Sequence, residues 1–274
     1  MATRTLVVTP TYNERDNLAI FTAAVRGAMP DAHILVVDDA SPDGTGDMAD
    51  ELAAADSHVH VMHRPGKMGL GTAYVQAFEW GLEQGYDRFF EMDADLSHDV
   101  QYLPDFVRAL DDGADAVIGS RNVPGGGVRG WGPLRHVISK GGSLYSRTIL
   151  GLDVHDLTSG YKAFSRRALE AIDLDRMFAR YGYPNDLLAR LGAAGLRVED
   201  APVRPVYGPA WRSGISLWTV IYPISFVLLR SAIWRLWRKH VGRLLAARAS
   251  RTIRPALSWP AVLAGFRVKQ SRSR

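Results

Sequence analysis

The feature that most constrains this chain is the alternation, over its first 120 residues, of short apolar runs with longer segments of helical period. Leu6-Val7-Val8, Ile34-Leu35-Val36-Val37, Val59-His60-Val61-Met62, Phe89-Phe90-Glu91-Met92 and Ala116-Val117-Ile118 read as strands buried on both faces. Segments near 16–28, 45–55, 71–84 and 100–112 carry apolar residues three and four apart, as amphipathic helices do. Repeated βαβ units predict an α/β fold, a mostly parallel central sheet flanked by helices, with right-handed crossovers and ligands at the carboxyl ends of the strands. Past residue 120 the rhythm changes. A loop from Asn122 to Gly132 with five glycines is followed by a helix over 137–150, a short segment at 158–164, a helix near 185–194 and a strand near 197–204. This half extends the sheet, so the expected division is one domain over 1–210 and a tail over 211–274.

The predicted strand ends are where acidic residues collect. Asp93-Ala94-Asp95 places two carboxylates on one side of an extended segment, a pattern suited to Mg²⁺ or Mn²⁺ held against a diphosphate, and also found in solvated turns. Asp38-Asp39 precedes Ser41-Pro42-Asp43-Gly44-Thr45, so one aspartate has a helix start to cap while the other faces a crevice, placed to hydrogen-bond a base or ribose. Arg64 to Gly71 combines three glycines with Arg64 and Lys67 ahead of a helix. It reads either as a phosphate cradle or as a turn that lets the helix approach closely.

Taken in order, Pro10-Thr11-Tyr12-Asn13-Glu14, Val37-Asp38-Asp39, Gly69-Leu70-Gly71, Met92-Asp93-Ala94-Asp95-Leu96-Ser97-His98 and Gly119-Ser120-Arg121 resemble the family-2 glycosyltransferases, and among them the dolichol-phosphate (polyprenyl-phosphate) mannose synthases. The resemblance runs from about residue 5 to about 205, through Trp131, Arg135 and Asp156 to Tyr161. It implies a GT-A, Rossmann-like fold and transfer of a hexose from a nucleotide sugar of the GDP-mannose or UDP-glucose type to a polyprenyl or dolichyl phosphate. It also implies that Pro10, Tyr12, Glu14, Val37 and Asp39 line the nucleoside pocket, that Asp93 and Asp95 hold the metal with Ala94 beside them, and that Arg121 and Arg135 bind the acceptor phosphate. An acceptor that is already an anion needs no general base, and the resemblance implies inversion by one in-line attack. The chain departs from the pattern where the polyprenyl-phosphate enzymes carry a glutamine metal ligand: it reads Gly182-Tyr183-Pro184-Asn185-Asp186. Asn185 or Asp186 then replaces that ligand, or Asp186 is a general base for a hydroxyl acceptor, or the pair caps a helix.

Charge divides the chain. Residues 1–200 hold 19 Lys and Arg against 29 Asp and Glu, a net of −10, whereas residues 201–274 hold 14 Lys and Arg and no acid. The tail contains 17 uncharged residues from Ser213 to Leu229, broken by Pro223 and followed by Arg230, Arg235, Arg238 and Lys239 among tryptophans. That run is shorter than the ~20 residues of a spanning helix, and aromatics interleaved with arginines suit a membrane interface. The expectation is an in-plane amphipathic helix on an anionic membrane; a short kinked span and a helix packed on the body are the other readings. With an acidic body, nucleic acid is not an expected partner. Arg212, on a Gly/Pro loop, is placed either to close over the donor diphosphate or as a surface residue of a linker. The N-terminus shows no secretory pattern, so the protein is expected in the cytoplasm, peripheral to the cytosolic membrane face. The absence of cysteine excludes thiolate zinc sites, iron–sulfur clusters, structural disulfides and thiol nucleophiles. A binding protein with the fold but not the chemistry remains the rival from another class.

Overall fold

The computed structural model describes residues 3–128, 133–157, 159–178 and 182–205 together with positions 225, 229, 230 and 233, all within the unit Met1–Ile233. The described strands are β1 (Thr5–Thr11), β2 (His33–Asp38), β3 (Val59–His63), β4 (Arg88–Glu91), β5 (Ala116–Ser120), β6 (Lys162–Ser165) and β7 (Val198–Pro202). The helices are α1 (Arg15–Ala28), α2 (Thr45–Ala55), α3 (Leu70–Glu83), α4 (Leu103–Asp111), α5 (Pro133–Leu150), α6 (Arg166–Glu170) and α7 (Tyr183–Ala193). The strands form one sheet in the order β3-β2-β1-β4-β6-β5-β7. All neighbours run parallel except β6, which is antiparallel to both β4 and β5. The mostly parallel α/β sheet is as expected, and the antiparallel strand comes from the short segment that the sequence left unassigned.

Period-two alternation sends Leu6, Val8, Leu35 and Val37 to one face of the sheet, under α3, α6 and α7. Val7, Ile34 and Val36 go to the other, under α1, α2 and α4. Each covering helix supplies a stripe of matching period: Leu18, Phe21, Thr22 and Val25 in α1, and Leu103, Phe106 and Leu110 in α4. The layers are tight where a side chain is missing, since a Cβ on Gly81 of α3 would stand 2.6 Å from Phe89 and 2.8 Å from Leu6.

The sheet opens where the site lies. β1 pairs with β2 as far as Thr11↔Asp38, but with β4 only as far as Val8↔Glu91. Pro10 falls just past the last β4 partner, on the side where a missing N–H costs no ladder bond. Strand order reverses here, with β2 on one side of β1 and the later strands on the other, which is the switch point at which α/β sheets bind ligands.

At the opposite end of β2 and β3 lies a cluster of histidines. His33 Nδ1 is 2.9 Å from His60 Nε2, and the His33 ring centroid is 4.6 Å from that of His58. Tyr86 and Trp80 border the cluster, Arg4 stacks on Tyr86, Arg26 lies nearby and Asp56 pairs with His58. Burial, then His58, His60, Arg4 and Arg26, lower the His33 pKa from 6.5 to about 4. A depressed histidine stabilises the fold fully above its unfolded pKa, and that contribution is lost as pH falls from 6.5 through about 4. Urea unfolding of His33→Phe across this window is expected to show a shallower loss of stability than the parent chain; parallel curves would show that His33 is not the titrating group.

Candidate active site

Three strand ends converge at the switch point, and each turns on a non-glycine residue in the left-handed region. Asn13 (φ 61°) follows β1, Ala40 (φ 54°) follows β2 and Leu96 (φ 62°) lies in the loop after β4. Asparagine tolerates this conformation, whereas alanine and leucine are strained by of the order of 1–3 kcal/mol each. The first two loops are laced together: the N–H groups of Asn13, Glu14 and Arg15 donate to Ser41 Oγ, Thr45 Oγ1 and Asp43 Oδ2 at 3.1, 3.0 and 3.3 Å.

The two adjacent aspartates after Val37 divide their work. Asp38 is buried and accepts from Thr11 Oγ1 (3.1 Å), Ser41 Oγ (2.5 Å) and the Ser41 N–H (3.0 Å), so it ties β1 to the β2 turn. Asp39 accepts from Arg64 Nε at 2.6 Å, and Arg64 also donates to Thr72 Oγ1 at 2.9 Å, locking this carboxylate to the start of α3. Across from them, Lys67 Nζ lies 3.3 Å from the Tyr12 ring centroid, a cation–π contact at the rim. Val37 is wholly buried in the core with Ala73 and Tyr74, and supports the crevice without lining it. The glycine string is explained in part by packing, because a Cβ on Gly71 would lie 2.5 Å from the Phe178 carbonyl and 2.9 Å from Tyr183 Cβ.

Below the crevice lies a buried charge pair. Lys162 Nζ is 2.6 Å from Glu91 Oε2, both side chains 1% exposed, and the Tyr183 hydroxyl donates to Glu91 Oε1 at 2.5 Å. Glu91 is followed two residues later by Asp93, whose carboxyl is raised to about 7 by burial first and Asp95 second, with Lys162 opposing. The Asp93 side chain is nevertheless 42% exposed, so one side faces protein and the other the open crevice. Its N–H donates to His98 Nδ1 at 3.1 Å, and His98 stacks on Tyr161, which stacks on Phe106. Burial lowers the His98 pKa to about 4 and keeps the ring neutral. Glu14 is likewise raised, chiefly by burial and then by Asp95 and Asp43 after the opposing Asn17 hydrogen bond.

These residues fit Mg²⁺ or Mn²⁺. Among the described residues the Asp93 carboxylate makes no hydrogen bond, Asp95 uses only Oδ1, toward the Ser97 N–H, and Ala94 is buried between them. Gly160 keeps the space beside Asp93 clear, since a Cβ there would stand 3.0 Å from Asp93 Oδ2 and 3.1 Å from His98 Cε1. Crowded carboxylates with unclaimed oxygens are the donor set of a hard cation shared with phosphate. No third His, Asp or Glu among the described residues joins them as a protein ligand.

The remaining residues singled out from sequence are placed as follows. Arg121 forms a fork on the buried Asp156, Nε to Oδ2 at 2.5 Å and Nη2 to Oδ1 at 2.7 Å, and lines two adjoining cavities. One is bordered by His98, Gly160 and Tyr161, the other by Asn122, His136 and Lys140. Arg135 falls in the first turn of α5, but its side chain lies outside the described residues, as do Arg212, Trp131 and all but four positions of 211–274. Asn185 is buried with no hydrogen-bond partner for Oδ1 among the described residues. Asp186, also buried, has its carboxylate taken up by the Phe178 N–H, Arg190 and Arg230. Arg64, singled out for a phosphate cradle, instead clamps Asp39, whereas Glu91, Lys162 and Tyr183 were not assigned a site role from sequence.

The Glu91–Lys162 pair yields a stability test. Lys162→Met is expected to cost about 3–5 kcal/mol in chemical denaturation because it strands a buried carboxylate. The double change with Glu91→Met should cost less than Lys162→Met alone; a double variant as unstable as the single would show that the stranded charge is not the cause.

The profile of the family described as Glycosyl transferase family 2 matches residues 6–173. The chain is 52% identical over 202 residues to a polyprenol monophosphomannose synthase of Mycolicibacterium smegmatis, covering 73% of this chain and 76% of that protein. It is 49% identical over 201 residues to an undecaprenyl-phosphate mannosyltransferase of Micrococcus luteus, covering 73% and 82%. In three dimensions it resembles the glucosyl-3-phosphoglycerate synthase of Mycobacterium tuberculosis in complex with Mn²⁺, UDP and glucosyl-3-phosphoglycerate, with a TM-score of 0.62, 22% identity, and 84% and 80% of the two chains covered. That likeness concerns the fold, which is GT-A. A sheet opened at its switch point, acidic strand ends and a family match across most of the described residues agree, and the chain is a glycosyltransferase belonging to family 2.

Proposed function

We propose that this glycosyltransferase moves mannose from a nucleotide sugar of the GDP-mannose type to a polyprenyl phosphate at the cytosolic face of a membrane, with inversion and with Mg²⁺ or Mn²⁺. The observation that carries the reading is the crowded Asp93–Asp95 pair at the switch point, in a chain about half identical to two polyprenyl-phosphate mannose transferases.

Asp39, clamped by Arg64, and Tyr12, bordered by Lys67 and flanked by Pro10 and Glu14, would hold the nucleoside. A pocket whose acceptor oxygen is already fixed loses little freedom on binding. Asp93 and Asp95 would hold the metal, which when bound neutralises charge developing on the leaving diphosphate. Lys67, at the rim, and Arg212 would face the same phosphates. On the acceptor side, Asp156 holds the Arg121 guanidinium in one orientation where the two cavities adjoin. With Arg135 from the first turn of α5, it would present a lipid phosphate to the anomeric carbon by charge-assisted hydrogen bonds. The phosphate oxygen attacks, the bond to the nucleoside diphosphate breaks, and no proton is removed. Asp186, taken up by two arginines and a backbone N–H, acts as a support and not as a base.

Catalysis belongs to residues 1–210 and attachment to the basic tail 211–274, and among the described residues no helix is long and apolar enough to cross a membrane. The test is a panel of labelled nucleotide sugars incubated with the protein, polyprenyl phosphate and Mn²⁺. A mild-acid-labile mannolipid is expected, and failure to form any lipid product would overturn the assignment. Asp95→Ala is expected to lower turnover at least about a hundredfold, as loss of transition-state charge stabilisation does, and to remove the Mn²⁺-dependent part of donor-induced thermal stabilisation. Unchanged stabilisation would remove Asp95 from the site.

A further inference from the structure

One buried acid of α7 is left over from this reaction. Asp186 is fully buried, with Oδ2 accepting from the Phe178 N–H at 3.0 Å and Arg190 Nε at 3.2 Å. Its Oδ1 accepts from Arg230, 44 residues further along the chain in the basic segment, whose side chain is 15% exposed. A buried carboxylate of this kind fixes the groups that neutralise it, because losing either partner strands a charge away from water.

The backbone at 225, 229, 230 and 233 is helical. Leu229 and Ile233, four apart and so on one face, are 61% and 55% exposed. Arg230 is displaced by about 100° from Leu229 around the helix axis. The ion pair therefore sets the helix's rotation: with Arg230 turned to the body, the two branched aliphatic side chains face outward. Trp234, Arg235, Trp237, Arg238 and Lys239 follow in sequence, and residues 201–274 contain 14 cations and no acid. An acidic protein surface would match the cations but offer no apolar phase to Leu229 and Ile233. The interface of an anionic bilayer supplies both.

We infer that the Asp186–Arg230 pair is a strap that fixes the rotational setting of the tail helix on the catalytic body, so that Leu229 and Ile233 enter the headgroup layer of an anionic membrane. This rests on the reading that the acceptor is a membrane lipid, and it names the residues that meet that membrane.

The cysteine-free sequence permits a direct experiment, because a single introduced cysteine takes a label uniquely. The full chain would carry a nitrobenzoxadiazole label at Leu229→Cys, Ile233→Cys or, as control, Ile20→Cys on α1, itself 57% exposed. On addition of phosphatidylglycerol/phosphatidylcholine vesicles, the labels at 229 and 233 are expected to brighten several-fold and shift to the blue, with little response at 20 and a weaker one to pure phosphatidylcholine. Silent labels at 229 and 233, or an equal response at 20, would overturn the membrane face. In an Arg230→Gln background the 229 and 233 signals should fall by at least half at the same lipid concentration, and Arg230→Lys should restore part of them. An undiminished signal in Arg230→Gln, with circular dichroism showing the fold intact, would overturn the strap; if that variant unfolds, the partial loss in Arg230→Lys decides instead, and no loss there overturns it. Thermal stabilisation of the same proteins by GDP-mannose and by UDP-glucose with Mn²⁺, measured without vesicles, reports the catalytic reading separately: its absence would sink that reading while leaving the label responses intact.

Discussion

The buried pair of Glu91 and Lys162 is the interaction on which the site depends. Each charge loses several kcal/mol of hydration in being buried, and only close, fixed geometry compensates. Here that geometry is the antiparallel register Glu91↔Lys162 between β4 and β6, with the Tyr183 hydroxyl bringing α7 to the other carboxylate oxygen. Three elements from distant parts of the chain are thereby held under the Asp93–Asp95 loop. Lys162 also opposes the negative potential that Asp95, Glu91 and Glu14 impose on Asp93.

Above that floor the crevice is built of tensions that a ligand would relieve. Carboxylates crowd one another, and two of the three loops carrying them turn on alanine or leucine in a conformation those residues disfavour. The cost is borne by the lacing between loops and by Asp38, which uses both its oxygens on its own turn and on Thr11. Such a site is assembled by the fold before any substrate arrives, the condition under which fixed charges do the most for a reaction.

Much of this was legible from residues alone. Short, mainly apolar runs and helices of 3–4 spacing placed the first five strands and their helices, because those signals are local. The acidic strand ends followed, since Asp93-Ala94-Asp95 and Asp38-Asp39 border such runs directly. What escaped was long-range. Lys162 in Gly-Tyr-Lys-Ala-Phe reads as an ordinary surface cation until β6 is seen to run antiparallel between β4 and β5. Arg64 and Asp39 are 25 residues apart, and Asp186 and Arg230 are 44 apart, so no local pattern announces either pair. Val37 belonged to a matching motif, yet the alternation that makes it a strand residue also turns it into the core.

The insertion of β6 has a consequence for how the chain is made. β4 pairs with β1 on one side, but its other edge is completed by Lys162–Ser165, with Glu91 and its partner 71 residues apart. During synthesis β4 must wait, its outer edge open and Glu91 without its cation, while β5, α5 and the intervening loops emerge. An unpaired strand edge of this kind is a site for mispairing with other chains. The interval between residues 91 and 162 therefore leaves the β4 edge without its β6 partner, and closing that edge sets a requirement on folding separate from the one catalysis imposes.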